Sequence, residues 1–290
     1  MTMVKVTDQD YYMDGFLQSN LDTAIKVSKK DWDMVFIIDG SEGSGKSILA
    51  MQCAYYCDNT FNADREAYSP DEFKERIIKA KQYNAVVYDE AMTGLSSRSA
   101  MSNVNKALVS MLAEIRQKNL FVFIVLPTFF DLDKYAALWR SRALLHVYTG
   151  DDFKRGYFAF YNVEKKKDLY INGKKYYSYG KPRPNFIGRF TNHYTISEDD
   201  YRAKKRASLL ARENEEHDYL EKRYKERFTV VLAILAQRYK LVEIERMLLA
   251  KGIELSSARI SQLLKAYAEN KEESPENSPY LNLKSSYSIT

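Results

Sequence analysis

The sequence predicts an α/β fold: a mostly parallel sheet covered by helices, then a β-hairpin region and a C-terminal helical module. Three observations predict it. Short runs of β-branched and aromatic residues recur at 34–38, 85–88, 121–126 and 143–148, and strands buried on both faces read as near-continuous apolar runs. Stretches with helical spacing separate these runs, as βαβ units require. From about Ser197 the character changes to long, highly charged helical sequence.

Taken in order, "DMVFIID" (33–39) reads as the first strand, ended by Gly40. The following "KSILAMQCAYYC" has helical spacing. Further on, Ser69 is an expected N-cap, with Pro70 at the first helical position and acids in the first turn. "NAVVYDEA" is the second strand and ends in two carboxylates, Asp89 and Glu90. A polar stretch leads into a helix expected from about Lys106 to Lys118. "NLFVFIVLPT" is the third strand, "DLDKYAALWRSRA" an expected helix, and "ALLHVYTG" the fourth strand. Residues 157–190 are expected to form a β-hairpin, because Asn172-Gly173 is a strong two-residue turn signal between Tyr- and Lys-rich flanks. These elements make one domain over 1–196. A charged helical connector follows over 197–227, capped by Ser197, and a helix-turn-helix-like module with Gly252 at a turn covers 228–268. The polar, Ser- and Pro-containing tail 269–290 is expected to be disordered.

The 290 residues, 45% hydrophobic and 29% charged, suit one large domain or a medium one with a small partner. A net charge of +5 permits a polyanionic partner and equally fits an ordinary soluble surface. Cys53 and Cys57 are the only cysteines, and the three histidines are scattered. That argues against a zinc site or a disulfide framework and for buried thiols in a reducing compartment. The N-terminus lacks a basic-then-apolar leader pattern, and the longest apolar run, "LFVFIVLP", falls far short of the roughly 18 residues of a membrane span. A cytoplasmic location is the expectation.

The chemistry concentrates in "GSEGSGKS", Gly40 to Ser47, which fits G-x-x-x-x-G-K-[ST]. A helix that starts directly after a strand presents unpaired N–H groups and the positive end of its dipole. Glycines let the loop curl so that the N–H groups of Ser41, Glu42, Gly43, Ser44 and Gly45 converge on a phosphate. Lys46 adds a point charge at the β- and γ-phosphates, and Ser47 a hydroxyl for Mg²⁺. With a buried strand before it and a helix after it, this is a P-loop NTPase signature, and it predicts a RecA-like core. Asp89, at the end of the second strand, is the expected holder of Mg²⁺, usually through water, and Glu90 the group that polarises the attacking water. The Asp-Glu pair and the lack of an N/T-K-x-D guanine-reading motif favour ATP. The strand 121–126 is expected between the two motif strands, with Thr128 at its tip as a γ-phosphate sensor. A cation must meet the charge that develops on the γ-phosphate. Arg116 is the first choice, with Arg98, Arg140 and Arg142 as alternatives. A neighbouring subunit often supplies this group, so an oligomeric ring is implied.

The run "VVYDEA…LAEIRQKNLFVFIVLPTFFDLDKYAALWRSRALLHVY" resembles the core of the FtsK/HerA-type DNA-pumping ATPases of genome packaging and plasmid transfer, with the zonular-occludens-toxin-like phage proteins nearby. The likeness spans roughly 34–148. It implies an ATP- and Mg²⁺-dependent homo-oligomer that moves DNA. Members of that branch often carry glutamine at the tip of the extra strand, where this chain has Pro127-Thr128.

In the C-terminal module, "LSSARISQLLKAY" is the expected recognition helix. Ser256, Ser257, Arg259 and Gln262 are expected at base edges and Lys265 at a phosphate, with Ile260, Leu263 and Leu264 facing the module's core. The whole chain thus reads as an ATP-hydrolysing motor on DNA. The alternatives are an ATP-gated DNA-binding switch or loader, and a phage morphogenesis ATPase. A protein-docking role for the three-helix module is the competing reading of its last segment.

Overall fold

Each of the four apolar runs becomes a strand of one sheet in the computed structural model, which describes the backbone of residues 2–5, 10–89 and 98–272. The chain begins with an antiparallel ribbon of β1 (Thr2–Lys5) and β2 (Asp10–Met13). Helix α1 (Gly15–Ser28) follows, started by Asp14, whose carboxylate accepts hydrogen bonds from the N–H groups of Phe16 and Leu17. Then come β3 (Met34–Gly40), α2 (Lys46–Cys57), β4 (Glu66–Ala67), α3 (Pro70–Lys79), β5 (Ala85–Tyr88), α4 (Arg98–Gln117) and β6 (Phe121–Leu126). The first unit continues with β7 (Ala143–Tyr148), β8 (Tyr157–Tyr161), α5 (Val163–Gly173) and β9 (Phe186–Arg189).

The seven-stranded sheet has the order β4-β5-β6-β3-β7-β8-β9. The strands from β4 to β7 are parallel, and β8 and β9 run antiparallel. The extra strand β6 lies between β3 and β5, as its sequence position after the Asp-Glu strand implied. Both faces of the sheet are covered, which explains the unbroken apolar runs. One face packs Phe73, Ile77, Leu112, Ile115 and Leu169 from α3, α4 and α5. The other packs Leu17, Leu21, Leu49, Met51 and Cys53 from α1 and α2. Both cysteines lie on α2 and are free. Burial pushes both thiols well above the usual range, so neither is an activated nucleophile.

Two sequence expectations differ from the structure here. No hairpin turn forms at Asn172-Gly173, because α5 occupies Val163–Gly173 and the two antiparallel strands flank it. Asn162 caps that helix by accepting from the Lys165 N–H at 3.0 Å. Lys166, Leu169, Tyr170 and Gly173 are its buried face, an i, i+3, i+4, i+7 spacing that outweighs the turn signal. Gly173 serves close packing: a Cβ there would stand 2.6 Å from the Ser178 carbonyl and 2.9 Å from the Phe130 ring. The second difference is in length and geometry: the helix expected over "DLDKYAALWRSRA" forms only over residues 134–140 and is π-helical at Ala136–Arg140. Leu132, Ala136, Ala137 and Leu138 are all buried, and Arg140 is tied to the buried Asp33, so the segment follows the core rather than a regular helix.

The chain forms two compact units, divided between Leu210 and Ala211. Helix α6 (Glu198–Ala236) crosses that division, so no helix break separates the expected connector from the module that follows it. Ser197 caps it, its hydroxyl accepting from the Asp200 N–H at 3.3 Å. The second unit adds α7 (Leu241–Leu249) and α8 (Ser257–Glu272) around a small core of Leu232, Ile244 and Ile260, with Leu263 and Leu264 packed against it. Residues 250–256 join α7 to α8 through Gly252 at φ 78°, a longer connection than the usual helix-turn-helix turn. The expected tail 269–290 lies largely outside the described residues.

Candidate nucleotide-binding site

The carboxyl ends of the parallel strands meet at the start of α2, and there the sheet order reverses direction around β3. The loop from Gly40 to Gly45 has the backbone that its sequence calls for. Gly40 has φ 140°, and a Cβ there would stand 2.0 Å from the Val147 carbonyl oxygen on β7. Gly45 is the N-cap of α2 at φ 101°, with the Phe190 ring 3.1 Å from where a Cβ would stand. Both positions therefore exclude side chains. No side chain caps α2, so its first N–H groups stay directed at the loop.

Lys46 folds back over this loop and donates to the carbonyls of Gly40 at 2.7 Å and Ser41 at 2.8 Å. Burial holds its ammonium below the usual lysine range, against the opposing pull of Asp89, Asp39 and Glu42. The Ser44 hydroxyl is fully buried in the loop, without a partner among the described residues. Ser47 donates to Asp89 Oδ1 at 3.0 Å, from the start of α2 to the end of β5. Asp89 has no exposed surface, and its N–H bonds the Ala67 carbonyl on β4.

This set fits a nucleoside triphosphate with Mg²⁺. The donor set is hard oxygen, a hydroxyl and a carboxylate, which suits Mg²⁺ shared with phosphates. No group of three or more His, Cys, Asp or Glu able to hold a metal occurs among the described residues. The cleft has a volume of about 400 Å³, and Glu42, Lys46, Ser47, Asp89 and Pro127 are among its walls.

Four groups at the site escaped sequence reasoning. Tyr201 and Lys205, one turn apart on α6, both reach Asp89 Oδ2: the phenol donates at 3.1 Å and the ammonium stands at 3.7 Å. Burial, and next the Asp89 charge, push the Tyr201 phenol far above its usual range, so it stays a donor. Their i, i+4 spacing was the available signal, but on a helix this charged it reads as a solvated face. Asp39, the last side chain before the loop, is buried and accepts from the Phe129 N–H at 2.8 Å and from the Tyr179 hydroxyl. Its other oxygen meets His146 Nδ1 at 2.9 Å, and the His146 and Tyr179 rings stack at 3.6 Å. Glu66, on β4, is buried beside Asp89, and burial raises its carboxyl to about 8, with the Asp89 charge adding to the rise. Tyr68 donates to one of its oxygens at 2.9 Å, and the other has no partner among the described residues.

No protein-family model matches the sequence, and no curated protein matches it. Among solved structures, the chain is similar to the N-terminal domain of zonular occludens toxin from Neisseria meningitidis. The identity is 14% and the TM-score 0.34, over 59% of this chain and 97% of that one. A likeness this distant says nothing of activity.

The remaining expected residues fall in different places. Glu90 lies outside the described residues, as does the side chain of Arg98. Thr128 sits at the tip of β6, but its hydroxyl accepts from the Phe130 N–H and lies 3.3 Å from the Tyr179 hydroxyl. Arg116 precedes β6, and Arg140 and Arg142 precede β7, so all three lie at the amino ends of the strands, away from the loop in the same chain. Arg140 is paired with Asp33 at 2.7 Å and Arg142 stacks over the Trp32 ring at 4.7 Å. Ser256, Arg259, Gln262 and Lys265 are exposed on α8 or its cap, and Ser257 is half-buried. Ser256 caps the Arg259 N–H at 3.3 Å, and the Arg259 guanidinium donates to Gln262 at 2.9 Å.

Proposed function

We propose that this chain is a Mg²⁺-dependent ATPase whose hydrolysis is coupled to movement of DNA. The observation that carries the hydrolytic half is the hydrogen bond between Ser47 and Asp89, which joins the start of α2 to the end of β5 with β6 between them. That arrangement brings the loop's hydroxyl and the strand-end carboxylate to one point, where a phosphate-bound metal needs them. Mg²⁺, when bound, supplies charge neutralisation between the β- and γ-phosphates. The chain's own residues do the rest. The loop N–H groups hold the phosphates, and Lys46 exchanges its two carbonyl partners for phosphate oxygens. Asp89 fixes the Ser47 hydroxyl, and Glu90, next along the chain, is assigned the attacking water.

The DNA half rests on the exposed polar and basic face of α8 and on the net charge of +5. Arg116 is exposed at the far edge of the sheet, so as a finger it serves only the site of a neighbouring copy in a homo-oligomer. The contacts of Tyr201 and Lys205 with Asp89 favour a second reading, an ATP-gated DNA-binding switch, because they tie α6 to the metal-holding carboxylate. DNA-dependent turnover separates the two. Wild type is expected to hydrolyse ATP with Mg²⁺ and to do so faster with DNA, whereas Lys46→Ala is expected to lose nucleotide binding and turnover. Turnover that ignores both single- and double-stranded DNA eliminates the motor, and turnover that survives in Lys46→Ala eliminates the site.

A further inference from the structure

Arg116, Arg140 and Arg142 all precede strands, and the parallel sheet sends the start of each such strand to the edge opposite the phosphate loop, while the side chain of Arg98 lies outside the described residues. A cation that serves the terminal phosphate within one chain must instead follow a parallel strand. The connection from β7 to β8 does so. β7 runs parallel to β3 and pairs with it up to Gly40, so the chain leaving Tyr148 emerges beside the loop and turns back there into the antiparallel β8.

Arg155 lies on this connection. Its guanidinium stands 3.6 Å from where a Cβ on Gly43 would be, in the middle of the phosphate loop. It shares a cleft with Lys46, Ser47 and Asp89. No hydrogen bond or ion pair holds it among the described residues, in contrast to Arg140 with its Asp33 partner. The backbone beneath it is braced on both sides. Gly150 donates to the Lys154 carbonyl at 2.8 Å, and Phe190 donates to the Gly156 carbonyl at 3.0 Å. A Cβ on Gly156 would meet the Phe190 carbonyl at 2.6 Å, and the Phe190 ring is the one that packs on Gly45. One residue thus locks both the phosphate loop and the segment that carries Arg155.

Given the nucleotide site proposed above, we propose that Arg155 is the in-chain arginine that contacts the terminal phosphate of the bound nucleoside triphosphate. A guanidinium in a fixed loop presents forked donors to phosphate oxygens and loses little freedom on binding. It discriminates triphosphate from diphosphate, and its charge counts most as the γ-phosphoryl leaves. Because the side chain is exposed, its removal leaves the core intact.

The test uses full-length wild type, Arg155→Ala and Arg155→Lys. Calorimetry with Mg²⁺ measures the affinities for ADP and for a non-hydrolysable ATP analogue, and turnover is followed in parallel. Arg155→Ala is expected to weaken the triphosphate analogue about tenfold or more while ADP affinity stays within about threefold. Turnover is expected to fall about a hundredfold or more, with partial recovery in Arg155→Lys. Unchanged analogue affinity and unchanged turnover in Arg155→Ala overturn the proposal alone. Wild type that binds neither nucleotide overturns the nucleotide site and the proposal with it.

Discussion

Asp89 is held from three directions: Ser47 donates to one oxygen, Tyr201 donates to the other, and the Lys205 ammonium lies beside that second oxygen. These groups meet both oxygens of a carboxylate that has no exposed surface. Its neighbour Glu66 differs. With one oxygen unpartnered and Asp89 close by, Glu66 holds a proton until about pH 8. In the unfolded chain it ionises near pH 4.5. The folded state therefore binds the proton more tightly, and the stability this gives is complete below about pH 4.5 and is lost as pH rises through about 8. Glu66→Gln cannot titrate. Its melting temperature is expected to gain on wild type between pH 5 and pH 9, by ~3 °C or more for a few kcal/mol of linkage. Equal shifts in the two proteins over that range mean that Glu66 buries a charge rather than a proton. The sequence marked Asp89 through its place after an apolar run, but it carried no sign of Glu66, because β4 is two residues long and has no period to read.

At the scale of elements, α6 is the informative piece. Read as sequence it is a charged rod, and charge on a helix face normally means solvent. Its first turns nonetheless contribute Tyr201, which is buried against Asp89, Tyr68 and Tyr194. The preceding segment is pinned too, since the Gln52 amide on α2 donates to the carbonyls of Thr191 and His193, each at 2.8 Å. If Asp89 holds Mg²⁺ as proposed, a helix that touches it must feel what that carboxylate binds, and the coupling is reciprocal. In the full-length protein, saturating Mg·ADP is expected to change amide exchange severalfold across residues 198–208, and Tyr201→Phe to shrink that change. Exchange in wild type that is blind to Mg·ADP refutes the coupling. The element that sequence misjudged most, α5, teaches the same lesson: Asn-Gly is a strong local turn signal, yet Leu169, Tyr170 and the buried Lys166 placed one helical face against the sheet and prevailed.

At the scale of the whole molecule, the order β4-β5-β6-β3-β7 decides which residues share an edge. It collects Gly40, Ser47, Asp89, Pro127 and Arg155 at the carboxyl ends of the strands and leaves Arg116, Arg140 and Arg142 at the other edge. The second unit is a separate three-helix body with its own small core, and Ile260 is its fully buried contribution from α8. Its exposed Arg259 and Lys265 carry the DNA reading. Arg259→Ala combined with Lys265→Ala is expected to weaken duplex binding about tenfold at moderate salt and to lower the slope of log affinity against log salt by ~1–2. Binding and slope that match wild type assign the module to a protein partner instead.

The sequence by itself determined the strands of the parallel core, the glycine-rich loop with Lys46 and Ser47 at the start of α2, and the partnership of Asp89 with that loop. These are local facts: an apolar run flanked by glycines, a helix start, an acid at a strand end, each readable within about ten residues. Only the tertiary structure decided that Tyr201 and Lys205 close on Asp89, that Glu66 lies buried beside it, and that Arg155 faces the loop. Most of those contacts join residues more than a hundred positions apart in the chain, as Tyr201 with Asp89, 112 apart, illustrates. Side-chain periodicity carries no information at such separations. It tells a residue which face it occupies, and the order of the strands then decides what that face meets.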